Sequence, residues 1–248
     1  MADGVRVGLC GFTMAFDDYL REYPLVEVQQ TFYEPPRDGM MRRWRAEAPI
    51  DFEFTIKAWQ LITHDASSPT YRRLRSPLRE VDRAEAGGFR ASAVVLRAWE
   101  RTLECAAILR ATAILLQCPA SFRATADNID RLRAFFEKVQ PPTGVRMLWE
   151  PRGPWPTDVV ATLCHEFDLV HVVDPFVSRT VTPDETYLRL HGTTGARHVY
   201  SDAELVQLAD MLPAAPSHPP YVLFNNLPRV GDARRFRQIL SHRRSPGP

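Results

Sequence analysis

Lysine is almost absent from this chain of 248 residues. Of its 31 basic side chains only Lys57 and Lys138 are lysines, and all the others are arginines. Lys138 falls within an amphipathic helical pattern, whereas Lys57 closes an apolar segment where a strand is expected to end. A compact ammonium group with an adjustable pKa differs chemically from a planar guanidinium. Lys57 is therefore a candidate site residue, with a structural salt bridge as the alternative.

Features that mark several protein classes are also missing. The four cysteines are widely spaced without a C-x-x-C pair, which argues against a zinc knuckle or redox dithiol and favours buried thiols. No apolar run approaches the roughly 18 residues of a membrane-spanning helix, and no signal-peptide pattern is visible. The net charge of +1 gives no argument for a nucleic-acid or membrane partner. We expect a soluble, cytoplasmic protein without a membrane partner.

Short apolar segments that each end in a charged or amide residue are the most informative positive feature. Together with the segments before them they predict eight strands, over residues 5–10, 26–33, 52–57, 113–117, 145–150, 169–173, 186–191 and 221–225. Helices are predicted between them, over residues 38–47, 93–110, 125–138, 157–165, 200–211 and 232–241. The alternation favours a closed (β/α)8 barrel, and the missing G-x-G-x-x-G argues against an open dinucleotide-binding sheet.

The predicted architecture is one α/β domain, a TIM-type barrel over residues 1–242. A long irregular loop follows strand 3 at residues 60–92. The crossover after strand 6 is too short for a full helix, so a shortened helix or a turn is predicted there. Residues 243–248 are predicted to form a flexible basic tail. In such barrels the active site is built at the carboxyl ends of the strands.

Alternation along the strands selects the residues that point into the barrel. Strand 3 groups Glu53 and Thr55 with Lys57, strand 2 groups Glu27 with Gln29 and Thr31, and strand 7 groups Tyr187 with Arg189 and His191. We expect Glu27 and Glu53 to form a structural lower layer. The predicted catalytic residues are Lys57, Glu150, Asp174 and His191, and the predicted substrate-binding residues are Thr31, Tyr33, His64, Gln117, Arg152, Arg189 and Asn225. Asn226 is an alternative to Asn225.

Cation, carboxylate, amide and imidazole groups at one end of the strands suit acid/base chemistry on an anion. A divalent metal held by His191, Glu150, Asp174 and His64 is possible but not favoured, because no H-x-H or H-E-x-x-H spacing supports it. We therefore predict no metal ligands and leave the cofactor open. The alternative is a set of ion pairs that merely fills the barrel.

Several motifs resemble those of domain of unknown function 72, the YecE-like family. They are Val5–Gly8 with Gly11, Val26–Glu27 through Thr31–Tyr33, Phe52–Lys57 with Ile62–His64, Gln117–Phe122, Glu150–Arg152 with Trp155, Tyr187–Gly192, Tyr200 with Glu204–Leu205, and Tyr221 through Asn226. The resemblance implies a TIM-type barrel but no settled reaction. Two segments depart from the family pattern, Gly8–Phe12 and Gln29–Gln30, so we expect an altered ligand or a lost activity in this member.

Three functions remain open. The first is a hydrolase or lyase for a small polar, anionic substrate, with Lys57 and Arg189 holding the anion and Glu150 or His191 as acid/base. The second is a metal-assisted phosphodiesterase or endonuclease acting on nucleic acid, which is possible but not favoured. The third is a non-catalytic module that binds a metabolite or a partner through the arginine-rich loop at residues 70–90.

Overall fold

The computed structural model describes residues 4–214 and 216–244. The strands are β1 Arg6–Cys10, β2 Leu25–Val28, β3 Glu53–Lys57, β4 Ala113–Gln117, β5 Arg146–Glu150, β6 Leu169–His171, β7 Tyr187–Leu190 and β8 Tyr221–Phe224. The α-helices are α1 Phe16–Glu22, α2 Gln30–Tyr33, α3 Asp38–Glu47, α4 Gln60–Thr63, α5 Glu80–Glu85, α6 Ala93–Leu109, α7 Ala126–Lys138, α8 Thr157–Glu166, α9 Asp202–Asp210 and α10 Arg229–Arg244, and a 3-10 helix covers Pro69–Arg73.

The eight parallel strands confirm the predicted TIM-type (β/α)8 fold. Their order in the sheet is β6-β5-β4-β3-β2-β1-β8-β7, so strands that follow each other along the chain are neighbours. The Ser201 and Glu204 side chains form a capping box at the start of α9. Among the described residues no helix has the length and apolar character needed to cross a bilayer.

The chain divides into two compact units. The first unit comprises the described residues of Met1–Glu27 and Val170–Pro248, and the second comprises Val28–Leu169. In the first unit β1 pairs with β2 and β8, and β8 also pairs with β7. In the second unit β4 lies between β3 and β5. The single-domain boundary at residue 242 stays a prediction.

Register decides which side chains share a face of each unit, because paired residues of parallel strands point the same way. In the first unit Gly8, Leu223 and Arg189 are in register. In the second unit Lys57, Leu115 and Leu148 are in register, and Gln117 pairs with Glu150 two residues further along. The predicted alternation in strands 3 and 7 is therefore consistent with the pairing.

Strand 2 ends earlier than predicted. β2 stops at Val28, Gln29 has helical backbone angles (φ −85°, ψ −23°), and residues 30–33 form the single turn α2. The expected grouping of Glu27 with Gln29 and Thr31 on one strand face is therefore wrong. Thr31 and its aromatic neighbours favour strands by propensity. A tertiary contact overrides that preference, because the Thr31 hydroxyl lies 2.7 Å from the carbonyl oxygen of Lys57.

The predicted loop at residues 60–92 is more ordered than expected. It contains α4, the 3-10 helix and α5, and backbone hydrogen bonds from Gly87 to Leu61 and from Phe89 to Ile62 tie its end to its beginning. At the other end of the chain, α10 continues through Arg244, so the flexible tail does not begin at residue 243. Residues 245–248 lie outside the described part of the chain.

The connection from β6 to β7 contains a turn and no helix, so the alternative of a shortened helix is wrong. Its backbone turns at Asp174, whose carbonyl oxygen accepts from the amides of Val177 and Ser178. A cavity of about 480 Å³ lies beside this connection, lined by Val173, Leu188 and Met211 among others. Leu188 lies on the strand face opposite Arg189.

Candidate functional site

Lys57 is held at the carboxyl end of β3 with only 6% of its surface exposed. Its ammonium nitrogen lies 3.6 Å from the centre of the Phe32 ring. α2 carries Phe32 to this position, and the Thr31 hydroxyl anchors the same helix on the Lys57 backbone. A buried ammonium over an aromatic face gains a cation–π attraction that is stronger than at an exposed site. The geometry therefore fixes a cation at the end of β3.

His64 is the second predicted residue in this part of the second unit. Its ring packs edge-on against Phe32, with centroids 4.9 Å apart, and Nδ1 lies 2.7 Å from the Thr63 hydroxyl. Burial, and then the charge of Lys57, lower the pKa of His64 to about 3. The imidazole is therefore neutral at neutral pH, so it can exchange hydrogen bonds but contributes no positive charge.

Gly87 holds the backbone of His64 in place. A Cβ atom at Gly87 would lie 2.0 Å from the His64 carbonyl oxygen, and Gly87 has a φ of +78° that only glycine adopts readily. The Tyr71 hydroxyl donates to the same carbonyl at 2.7 Å. The sequence signal was the Gly87–Gly88 pair, which indicates a break in the loop but does not predict this close approach.

Glu150 and Arg152 form a half-open ion pair at the end of β5. Arg152 Nη1 lies 3.2 Å from Glu150 Oε1, and the side chains are 39% and 4% exposed, respectively. Gln117 pairs in register with Glu150 at the end of β4. Lys57, Gln117 and Glu150 therefore share one face of β3–β5, as predicted, with the guanidinium of Arg152 on the carboxylate.

Cys118 follows Gln117 but lacks the character of a nucleophile. Its sulfur accepts from Trp149 Nε1 at 3.2 Å, and burial raises the pKa of the thiol to about 12. None of the four cysteines forms a disulfide, and all are buried. The prediction of buried thiols is confirmed.

His191, Asn225 and Asp174 come together in the first unit. The Asn225 side-chain nitrogen lies 3.1 Å from His191 Nδ1, and with that nitrogen as donor the neutral ring carries its proton on Nε2. Asp174 is committed to the backbone, because one oxygen accepts from the His191 amide at 2.9 Å and the other from Phe176 at 3.1 Å. This arrangement favours a positioning role for Asp174 over the catalytic role that the sequence suggested.

Tyr200, just before α9, forms a hydrogen bond with the residue that follows His191. Its hydroxyl oxygen accepts from the Gly192 amide at 2.9 Å. Burial, and then the negative charge of Asp174, raise the pKa of Tyr200, so the phenol stays protonated. Asn226, the alternative to Asn225, is fully buried and donates to the His198 carbonyl and to Asp232. Asn225 is therefore the strand-8 amide beside His191.

Arg189 occupies a different environment from the one expected of an anion-binding residue. Its Nη2 and Nε lie 2.8 and 3.1 Å from the two carboxylate oxygens of Glu27, and neither side chain is exposed. The Tyr187 hydroxyl donates to Glu27 at 2.9 Å. Glu27 is thus in a structural layer as predicted, and Arg189 belongs to that same layer, which argues against its predicted anion-holding role.

The remaining predicted residues, Thr31 and Tyr33, do not lie on the expected strand. Thr31 is buried and anchors α2 to β3. The Tyr33 ring instead lies beneath Arg73, whose guanidinium carbon is 4.1 Å from the ring centre. Within residues 4–214 and 216–244, no three His, Cys, Asp or Glu side chains are grouped so that they could hold a metal ion.

Two residues near Lys57 escaped the sequence reasoning. Phe32 entered the sequence analysis only as part of a motif that resembles the family, although it contacts both Lys57 and His64. Gln60 is fully buried in α4 and donates to the Tyr33 carbonyl at 2.7 Å, while its Oε1 has no hydrogen-bond donor among the described residues. A single amide within the apolar run Trp59–Ile62 is the signal that could have identified Gln60.

Residues 13–247 match the family model described as "Protein of unknown function DUF72". A DUF72 family protein of Enterococcus faecalis has a TM-score of 0.69 at 18% identity, over 96% of this chain and 95% of that chain. One from Thermotoga maritima has a TM-score of 0.62 at 20% identity, over 96% and 100%. The crystal structure of SacUVDE has a TM-score of 0.62 at 7% identity, over 98% and 100%. At these identities the likeness shows a shared fold. No curated protein matches the chain.

Proposed function

The chain belongs to the DUF72 family, and from the side chains at its strand ends we propose that it is an enzyme acting on a small polar, anionic substrate. The reaction class is a hydrolase or a lyase. The half-open ion pair of Arg152 and Glu150 carries the proposal, because it places an exposed guanidinium on a buried carboxylate. Lys57 and Gln117 share the strand face that carries Glu150.

Arg152 and Lys57 would hold the anion in this reaction. An arginine offers several N–H donors in one plane and can bind a carboxylate or phosphate at two points. An incoming anion would draw the guanidinium away from Glu150, which would then lose part of its counter-charge. A buried carboxyl group that loses a neighbouring cation acquires a higher pKa. Glu150 would thus become a better proton carrier when substrate is bound, which suits an acid/base catalyst.

His191 is the second candidate acid/base. Asn225 and the backbone contact with Asp174 orient its ring, and the tautomer set by Asn225 presents Nε2 as a donor. Replacing His191 by Gln would remove the proton transfer while keeping a hydrogen-bonding side chain. Loss of turnover in His191→Gln, with Glu150→Gln still active, would assign the acid/base role to His191.

The two lysines allow a direct test of anion binding. In protein labelled with 13C at the lysine Cε, the side chains give two signals, one from Lys57 and one from Lys138. Titration with phosphorylated and carboxylated metabolites should shift the Lys57 signal and leave Lys138 unchanged. Lys57→Ala should abolish the ligand-induced rise in thermal midpoint, whereas the matched variant Lys138→Ala should retain it.

The same titration can also contradict the proposed anion site. If every ligand leaves the Lys57 signal in place, or moves both lysine signals equally, the anion site at β3–β5 is wrong. If Lys57→Ala only unfolds the chain, Lys57→Met provides the second test, because its unbranched apolar side chain can keep the contact with Phe32 while removing the charge. Retained ligand binding in Lys57→Met would leave Lys57 with a structural role alone.

A nuclease activity is the second candidate, and the shared fold with SacUVDE, a UV damage endonuclease, is the observation that favours it. Cleavage of DNA that carries an abasic site, measured with and without chelator, together with elemental analysis of the purified protein, tests this activity. Uncut DNA and substoichiometric metal would remove it. Binding of a metabolite without product formation would instead favour a non-catalytic module.

A further inference from the structure

A second cavity of about 460 Å³ lies in the second unit, between α2, α3 and the 3-10 helix. None of Lys57, Gln117, Glu150 or Arg152 lines it. The apolar and aromatic part of its wall consists of Tyr33, Pro36, Met40 and Trp44. The polar and charged part consists of Gln30, Glu34, Arg73 and Arg75. The proposed enzymatic site does not use this cavity.

The apolar part of the cavity suits a flat ring. Tyr33 is half-buried and Met40 is 47% exposed, while the Trp44 ring, 8% exposed, forms the inner wall. Methionine adapts its shape and makes favourable contacts with aromatic rings. Aromatic and methionine side chains that line a concave site are typical of ligand binding, since they bury apolar area when a planar group enters.

The two arginines of the cavity, Arg73 and Arg75, differ in their contacts. Arg75 is turned toward Glu34, whose carboxylate accepts from the Arg75 backbone amide and lies 4.0 Å from its Nε. Arg73 instead stacks on Tyr33 and has no carboxylate partner among the described residues. A guanidinium stacked on a ring keeps its N–H donors free in its own plane. Arg73 is therefore preorganised to bind an anion at the edge of the apolar surface.

We propose that this cavity binds a nucleotide, with the base against Tyr33, Met40 and Trp44 and the phosphate on Arg73. The volume of about 460 Å³ accommodates a base, a ribose and a phosphate together, and is larger than a phenyl phosphate group requires. Arg37, which follows the lining residue Pro36, is also exposed. Aromatic stacking combined with arginine–phosphate contacts is the usual chemistry of nucleotide binding without base selection.

The test is calorimetric titration of the full chain with AMP, adenosine, inorganic phosphate and phenyl phosphate. AMP should bind at least about tenfold more tightly than each of the other three, because only AMP offers a large ring and an anion together. Tyr33→Leu and Arg73→Gln should each weaken AMP binding about tenfold. Arg72→Gln is the matched control, since it removes the same charge from the same 3-10 helix without lining the cavity, and it should change the affinity less than about twofold.

Titration with a single-stranded oligonucleotide tests whether the ligand is a nucleic-acid strand or a free nucleotide. Tighter binding of the oligonucleotide than of AMP, with the same sensitivity to Arg73→Gln, would identify a nucleic-acid strand as the ligand, and the reverse order would identify a free nucleotide. Tighter binding of phenyl phosphate than of AMP would overturn the assignment in favour of a phosphorylated side chain. Binding of AMP that is insensitive to both Tyr33→Leu and Arg73→Gln, or no binding of AMP or oligonucleotide, would also overturn it.

Discussion

Two arginine–glutamate pairs, one in each unit, have opposite surroundings. Arg189 and Glu27 are fully enclosed, and Tyr187 adds a further hydrogen bond to the carboxylate. Arg152 is 39% exposed while its partner Glu150 is buried. An enclosed pair cannot exchange its partner with a solute, and its charges must compensate each other. A half-open pair can, which is why the proposed reaction is placed at Glu150 and not at Glu27.

Breaking the enclosed pair should have the largest effect on stability. Glu27→Gln leaves the Arg189 charge buried without its carboxylate, and we expect a loss of about 3–5 kcal/mol in the free energy of unfolding. Urea denaturation measures this loss. The double variant Glu27→Gln with Arg189→Met should recover much of it, because no unpaired charge remains. A loss below about 1 kcal/mol in the single variant would mean that the pair is not a structural layer.

The buried His64 should make a second contribution to the free energy of unfolding, and acid should remove this contribution. Its pKa is about 3 in the folded chain against about 6.5 unfolded, so the unfolded state takes up the proton first as the pH falls. Stability from neutral His64 is fully present above about pH 6.5 and is lost progressively toward pH 3, by up to about 1.4 kcal/mol per pH unit. Unfolding free energies over this range should depend less steeply on pH in His64→Asn.

The exposed His165 on α8 provides the matched control for that measurement. His165→Asn should keep the pH slope of the parent chain, since the same substitution is made at a side chain that is open to water. Equal slopes in His64→Asn and the parent chain would show that His64 is protonated in the folded state or that its burial has no energetic consequence.

Removing the half-open pair should have the smallest effect on stability. Arg152→Gln is expected to cost less than about 1 kcal/mol, because the pair is open to water on the Arg152 side and the Gln amide can still donate a hydrogen bond to Glu150. The same variant should weaken the ligand-induced rise in thermal midpoint. Arg146→Gln, at the amino end of the strand that precedes Arg152, is the control for a general loss of charge. If Arg152→Gln destabilises the chain as much as Glu27→Gln, the contrast between the two pairs fails.

Much of the fold could be predicted because its signals are local. β4 and α3 begin and end where apolar patterning placed them, at Ala113–Gln117 and Asp38–Glu47. β2 could not be bounded in this way, since the turn at Gln30–Tyr33 depends on a bond to Lys57, 26 positions away from Thr31. Local propensity has no access to such a contact.

The candidate site was predictable to a similar degree. Alternation placed Lys57, Gln117 and Glu150 on one face, and strand register agrees. Whether an arginine is enclosed or open could not be inferred, because burial depends on side chains far along the chain, as with Arg189 and Glu27, 162 positions apart. Position offers a partial signal, since Arg189 lies within its strand and Arg152 follows the end of β5. The chemical roles of these residues stay predictions.

The helix-free connection between β6 and β7 makes this chain easy to extend by protein engineering. Its backbone is anchored by Asp174, while Val177 at the turn is 80% exposed. Doubling the length of a surface loop costs only about 0.6 kcal/mol in closure entropy. A peptide tag or a small reporter domain inserted after Val177 would therefore leave both neighbouring strands in place, so this helix-free crossover becomes a natural point of attachment.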